Sequence, residues 1–145
     1  MIREAEPRDS SVIEKLYKKL APHSKNLKVL PERIEQIRKD YNNFLFVYEE
    51  DYLIKGSIFI TFCLDPGYEF RPYTTVEYVI VGEGYRGKGI GEKLLKHVEK
   101  VSIERESTRI VLLSSVARTE AHKFFTNNGY DGTISKGFKK YIPIV

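Results

Sequence analysis

Five glycines fall within ten residues, at Gly82, Gly84, Gly87, Gly89 and Gly91, and two cations, Arg86 and Lys88, are set among them. An apolar run ends at Val81, and a helical pattern carrying Leu94, Leu95, Val98 and Val101 follows. Glycine weakens a helix by about 1 kcal/mol relative to alanine, so Gly89 and Gly91 in a first turn call for a compensating role. Close approach of an anion is such a role. Free N–H groups at a helix start point outward, the helix dipole attracts negative charge, and no side chain stands in the way.

Several readings of this stretch compete. It can be a plain connection from strand to helix. As a nucleoside-triphosphate loop, Gly82 to Lys88 fits G-x-x-x-x-G-K, but the next position holds Gly89 where a magnesium-binding hydroxyl belongs. As a dinucleotide turn, Gly82, Gly84 and Gly87 fit G-x-G-x-x-G, but the acids about 20 residues on, in Glu104-Arg105-Glu106, fall at a helix end. As an acyl-CoA turn, Arg86, Gly87, Lys88, Gly89, Ile90 and Gly91 match R/Q-x-x-G-x-G/A at every fixed position.

A second group with chemical capacity is Glu77, the one acid in the apolar stretch Val76-Glu77-Tyr78-Val79-Ile80-Val81. A carboxylate buried there would have its pKa raised toward neutrality and could accept a proton, directly or through water. The alternative is a solvent-facing strand position. Tyr78, Tyr130 and Tyr141 are candidate proton donors, each with a structural alternative. His23, His97 and His122 lack metal-ligand spacing. His23 lies in an early polar loop.

The elements that must position these groups follow from periodicity. A short strand over 1–5 precedes a helix with Val12, Ile13, Leu16, Tyr17 and Leu20 on one stripe, capped from Asp9, Ser10 or Ser11 and stopped by Pro22. Pro31 opens a second helix with Ile34, Ile37 and Tyr41 on one face. Strands are expected over 44–48 and from Tyr52 to about Leu64, joined by a turn at Glu49-Glu50-Asp51, with Gly56 marking a bulge. Another strand covers 74–81. After the glycine turn and its helix come a strand over 109–113 and a helix with Ala117, Ala121, Phe124 and Phe125 that ends at Asn127-Asn128-Gly129. Two short strands are expected over 130–134 and 138–142. The order β-α-α-β-β-β-α-β-α-β-β predicts an α/β fold, a central mixed sheet with helices on its faces.

The chain has 145 residues, 41% hydrophobic and 30% charged, and no Pro/Gly/Ser-rich linker divides it, so one domain over 1–145 is expected. No apolar run approaches the roughly 20 residues a membrane helix needs. The N-terminal acids do not fit a secretory leader, which predicts a cytoplasmic protein with no membrane partner. Cys63 is the only cysteine, which excludes an internal disulfide and a multi-cysteine zinc site. The 24 basic residues against 20 acidic ones give +4, a mild excess that suits an anionic ligand and does not point to nucleic acid.

Taken with its flanking elements, the stretch around residues 85–95 resembles the GNAT superfamily of acyl-CoA-dependent N-acetyltransferases, and the order of elements extends the resemblance over nearly the whole chain. The final helix, with Ala121, Phe124, Phe125 and then Gly129-Tyr130, resembles the family's A-x-x-x-Y-x-x-x-G-F pattern. The resemblance implies acetyl-CoA as co-substrate. It puts pantetheine on the backbone of Val79, Ile80 and Val81, and pyrophosphate on Arg86, Gly87, Lys88, Gly89, Ile90 and Gly91. A small-molecule or peptide amine would attack the thioester directly, with Glu77 as base. The early loop, with Tyr68, Phe70 and Tyr73, would shape the acceptor pocket. Two positions depart from the pattern. Arg118 stands where the family often has Asn, as a cofactor contact or a surface arginine. Phe125 stands where a tyrosine often protonates the thiolate, so Phe125 would adjoin the cofactor without a phenol. A non-catalytic acyl-CoA-binding or sensing module is the alternative. Family members are often dimers, so a homodimer is open.

Overall fold

The β-branched and aromatic runs pair into one sheet in the computed structural model, which describes residues 1–144. The strands β1 (Ile2–Glu4), β2 (Asn43–Glu50), β3 (Leu53–Cys63), β4 (Tyr73–Val81) and β5 (Ile110–Leu112) lie in that order. Each of the first three runs antiparallel to the next, and β5 runs parallel to β4, so the sheet is mixed as expected. The helices are α1 (Ser10–Leu20), α2 (Pro31–Lys39), α3 (Ile90–Glu104) and α4 (Thr119–Asn127). The chain forms two compact units, residues 1–112 and the residues from Leu113 onward, and each is described by itself.

In the first unit, the alternation of strand side chains gives the sheet two apolar faces. On one, Leu45, Val47 and Ile80 pack with Ile13, Leu16 and Tyr17 of α1 and Ile34 of α2. On the other lie Ile58, Ile60, Phe62 and Val76, each at most 3% exposed. Here α3 makes contact: Phe46 meets His97 edge-on at 4.6 Å, and Thr74 Oγ1 lies 2.9 Å from Ser102 Oγ. Helices therefore cover both faces. Burial of each such aliphatic side chain contributes roughly 1.5–3 kcal/mol.

Two local features set the register. Asp51 and Tyr52, at φ 55° and 62°, form the β2–β3 turn, two left-handed residues whose twist suits a hairpin. The strand therefore runs through Glu50, two residues beyond the expected end. Next to it, Tyr48 pairs with Gly56 and Glu49 with Ile54, a bulge adjoining the glycine that the sequence marked. A Cβ on Gly56 would lie 3.1 Å from the Ile80 carbonyl oxygen, 3.1 Å from Ile90 Cγ2 and 3.2 Å from Leu94 Cδ1, so the start of α3 rests directly on β3 backbone.

On the edge strand β1, Arg3 donates to both carboxylate oxygens of Asp9, at 2.8 and 3.1 Å, and to Glu49 at 2.9 Å. Asp9 is buried and also accepts the Glu6 N–H at 2.7 Å. Burial alone would raise the Asp9 pKa, but Arg3 and the Glu6 amide outweigh it and hold the carboxyl below its usual range.

In the second unit, α4 ends as its Asn-Asn-Gly sequence suggests. Gly129 takes φ 90°, and the Tyr130 N–H returns to the Phe125 carbonyl at 3.0 Å. The two strands expected over 130–134 and 138–142 do not form. Ile134, Phe138, Tyr141 and Ile142 remain exposed, and no ladder engages them among the described residues. A β-rich composition gives a strand only where a neighbour supplies the hydrogen bonds.

Candidate cofactor and acceptor site

The site begins where β4 loses its neighbour. Its ladder to β5 runs from Thr74↔Ile110 to Val76↔Leu112 and stops, while β4 continues to Val81. On the opposite edge the pairing with β3 shifts. Ser57 faces Ile80 and Phe59 faces Glu77, so β4 carries one extra residue in this stretch. Tyr78, at φ 53°, is the left-handed residue of that bulge. For a residue with a Cβ this conformation costs about 1–2 kcal/mol. Stacking of the Tyr78 ring on Tyr17 of α1, centroids 4.2 Å apart and planes 11° apart, offsets roughly 0.5–1.5 kcal/mol of it.

The bulge changes the reading of Glu77. Alternation along an unbroken strand would have let one of Glu77 and Tyr78 point inward, but both are exposed. The apolar burial expected around this carboxylate is therefore absent. Glu77 nevertheless acts electrostatically on the Tyr17 hydroxyl, whose pKa is pushed up first by burial, then by Tyr78 and Glu77. Val79 and Val81 are half-buried, and Ile80 turns its side chain into the α1 core while pairing with Ser57 of β3.

Beyond Val81 the chain turns into α3. The Gly82 N–H bonds the Lys55 carbonyl at 2.8 Å, and the Tyr85 N–H bonds Gly82 at 3.0 Å. Gly84, Gly87 and Gly89 take φ of 87°, 76° and 81°, and a Cβ on any of them would meet nothing within 4 Å. These glycines are required by backbone angle, and the space above them is open. Gly89 is the N-cap of α3 and offers no side chain, and the first helical bond runs from the Lys93 N–H to the Gly89 carbonyl at 3.0 Å. The N–H groups of Ile90, Gly91 and Glu92 precede that bond and lack a capping partner among the described residues. Ile90 is 4% exposed and anchors the helix start to the sheet. Arg86 and Lys88 are exposed, and Arg86 Nε donates to the Val81 carbonyl at 3.3 Å. Glu83 pairs with Lys19, tying the turn to the end of α1, and Lys19 holds the Glu83 carboxyl below its usual range.

On the α1–α2 face, a cleft of about 680 Å³ is lined by Tyr17, Tyr78, Phe59, Leu45, Ile34 and Ile37 among others. That volume falls within the roughly 300–1,000 Å³ of small-molecule sites. Its outer wall is the 21–30 loop, pinned where Glu14 accepts the Val29 N–H at 2.9 Å. Because Tyr78 is shared, the cleft reaches β4 one residue past Glu77. His23, Tyr68, Phe70 and Tyr73 do not line it. Tyr17 does, although its spacing marks it only as part of an apolar helix stripe. A phenol among aliphatic residues was the available signal. In the second unit, Arg118 is exposed at the N-cap of α4, and Phe125 is 8% exposed, its ring 5.5 Å from Phe124 and 6.2 Å from Tyr130. No described helix is long and apolar enough to cross a membrane.

A mixed sheet whose fourth strand outruns its fifth neighbour, followed by a glycine-rich, uncapped helix start, defines an acyl-CoA-type acetyltransferase fold. The chain belongs to the acetyltransferase (GNAT) family, whose model matches residues 11–130. No curated protein sequence matches it significantly. Among solved structures, its fold is similar to a putative acetyltransferase from Agrobacterium tumefaciens str. C58, with TM-score 0.88 and 21% identity over 98% of this chain and 99% of that one. It is also similar to a transcriptional regulator from Bacillus halodurans C-125, with TM-score 0.87 and 26% identity over 98% and 99%. A third is AAC(6′)-Iy in complex with the bisubstrate analogue CoA-S-monomethyl-acetylneamine, with TM-score 0.79 and 18% identity over 99% and 98%.

Proposed function

We propose that this protein transfers an acetyl group from acetyl-CoA to a primary amine held in the α1–α2 cleft. The observation that carries the reading is the helix start at Gly89, where uncapped N–H groups lie beneath open space that no Cβ occupies. Such a cradle fits a diphosphate, with residues 86–91 supplying backbone donors and the charges of Arg86 and Lys88. The backbone of Val79, Ile80 and Val81, beyond the end of the β5 ladder, would pair with the amides of the pantetheine arm. When bound, the cofactor supplies an acyl thioester.

The chain's own residues then manage position and protons. The cleft wall at Tyr17 and Tyr78 orients the acceptor. Glu77, exposed beside Tyr78, takes the amine proton directly or through water. Tyr78, at the bulge of β4, would return a proton to the departing sulfur. The assignment of Arg118 and Phe125 to the cofactor rests on the family resemblance alone. Steady release of free thiol from acetyl-CoA with an amine panel tests the reading. Stabilisation by ATP and none by CoA would overturn it.

A second reading, a non-catalytic acyl-CoA sensor, is favoured by one feature, the buried Phe125 that offers no hydroxyl. Stabilisation by CoA with no thiol release from any amine would select it.

A further inference from the structure

The charges around the cleft describe what it accepts, an inference that rests on the cleft being the acceptor site. The floor is apolar, made by Leu45, Phe59, Ile34 and Ile37. Three charged side chains, Lys28, Arg33 and Asp40, complete the lining. Asp40 is the one carboxylate among the lining residues. Its Oδ1 accepts the Asn42 N–H at 2.8 Å, and that bond, with others from Asn43, holds its carboxyl below the usual range. Lys28 and Arg33 have no carboxylate within ion-pair distance among the described residues. The remaining polar groups of the lining, such as Ser24, Asn26 and Gln36, carry no charge.

We infer that the acceptor is an amine with an apolar body and an anionic group, carboxylate or phosphate, received by Arg33 and Lys28. A polycationic amine would bring its second charge into a lining where two cations, Lys28 and Arg33, face one carboxylate, Asp40. The arrangement therefore selects against it as well as for an anion. The Glu14–Val29 bond keeps Lys28 in this wall by fixing the next residue of the loop.

Four amines with one carbon chain separate the possibilities: hexylamine, aminohexanoate, aminohexyl phosphate and hexanediamine, each assayed by thiol release from acetyl-CoA. The two anionic amines are expected to exceed hexylamine in kcat/KM by about tenfold, with hexanediamine poorest. Comparing carboxylate with phosphate identifies the preferred group. In Arg33→Gln and Lys28→Gln, both at exposed positions, the ratio of kcat/KM for the better anionic amine to that for hexylamine should fall toward one. Hexanediamine as best substrate, or variants that keep the parental ratio, would overturn the inference. If no amine releases thiol, the transfer reading fails and the binding question is settled separately, by thermal shift with CoA present. Stabilisation by aminohexanoate or aminohexyl phosphate that exceeds that by hexylamine and is lost in Arg33→Gln supports the inference. Equal stabilisation by all four, or none, overturns it.

Discussion

Substituting Gly89 with alanine separates the strain of the glycine turn from its use. The residue sits at φ 81°, and its new methyl would meet no atom within 4 Å. The cost to folding is therefore conformational, about 1–2 kcal/mol for a left-handed residue with a Cβ. Reduced freedom of the unfolded chain returns roughly 0.4–1 kcal/mol. A net loss near 1 kcal/mol lowers Tm by roughly 2–4 °C for a chain of this size. Coenzyme A should feel far more, because the methyl enters the open space above the free N–H groups of α3. Titration calorimetry should show Kd rising by about tenfold or more, some 1.4 kcal/mol. Gly84→Ala is the matched comparison, with φ 87° and equally empty surroundings but outside residues 86–91. It should lose the same Tm while keeping most of its affinity. If both variants weaken CoA equally, or neither does, the diphosphate is not seated on the start of α3.

Three further outcomes are expected. Glu77→Gln should lower kcat/KM by at least ~10²-fold, and a variant matching the parent at every pH removes Glu77 from proton transfer. The depressed Asp9 carboxyl contributes stability that is full above its unfolded pKa, near 3.9, and is lost as pH falls through its lower folded value. Asp9→Asn should therefore cost stability at pH 7, roughly 2–4 kcal/mol by urea denaturation, with the gap to the parent closing in acid. Arg105 lies over the rings of Tyr41 and Phe62, at 4.0 and 4.6 Å, and donates to the Tyr41 carbonyl at 2.9 Å. Arg105→Ala should cost about 1–2 kcal/mol in the same assay, and no change would show that this aromatic cluster holds without its cation.

The elements most readable from sequence were those whose signals are local. The stripe Ile13, Leu16 and Tyr17, Pro31 at a helix start, and the five glycines each state their conformation within a few residues. The bulge at Tyr78 was hidden because Val76 to Val81 reads as one uninterrupted strand, and an aromatic residue is a poor signal for positive φ. Only the pairing with β3 and the Tyr17 ring reveal it, and both are distant in sequence. Glu77, next to that extra residue, takes the solvent-facing alternative that its sequence left open. The strands expected at 130–134 and 138–142 failed for a related reason, since propensity cannot supply a partner edge. The cleft was legible only as an early loop, because Phe59, Leu45 and Tyr78 join its wall through the register of three strands.

Gly56 has a reach beyond its own strand. By leaving room beneath Ile90 and Leu94, it sets the height at which the first turn of α3 rides over the sheet, and so the level of the proposed anion seat some thirty residues downstream. The seat is thus calibrated from underneath by a missing side chain. Any larger residue at position 56 would tilt it without touching a single ligand-facing atom.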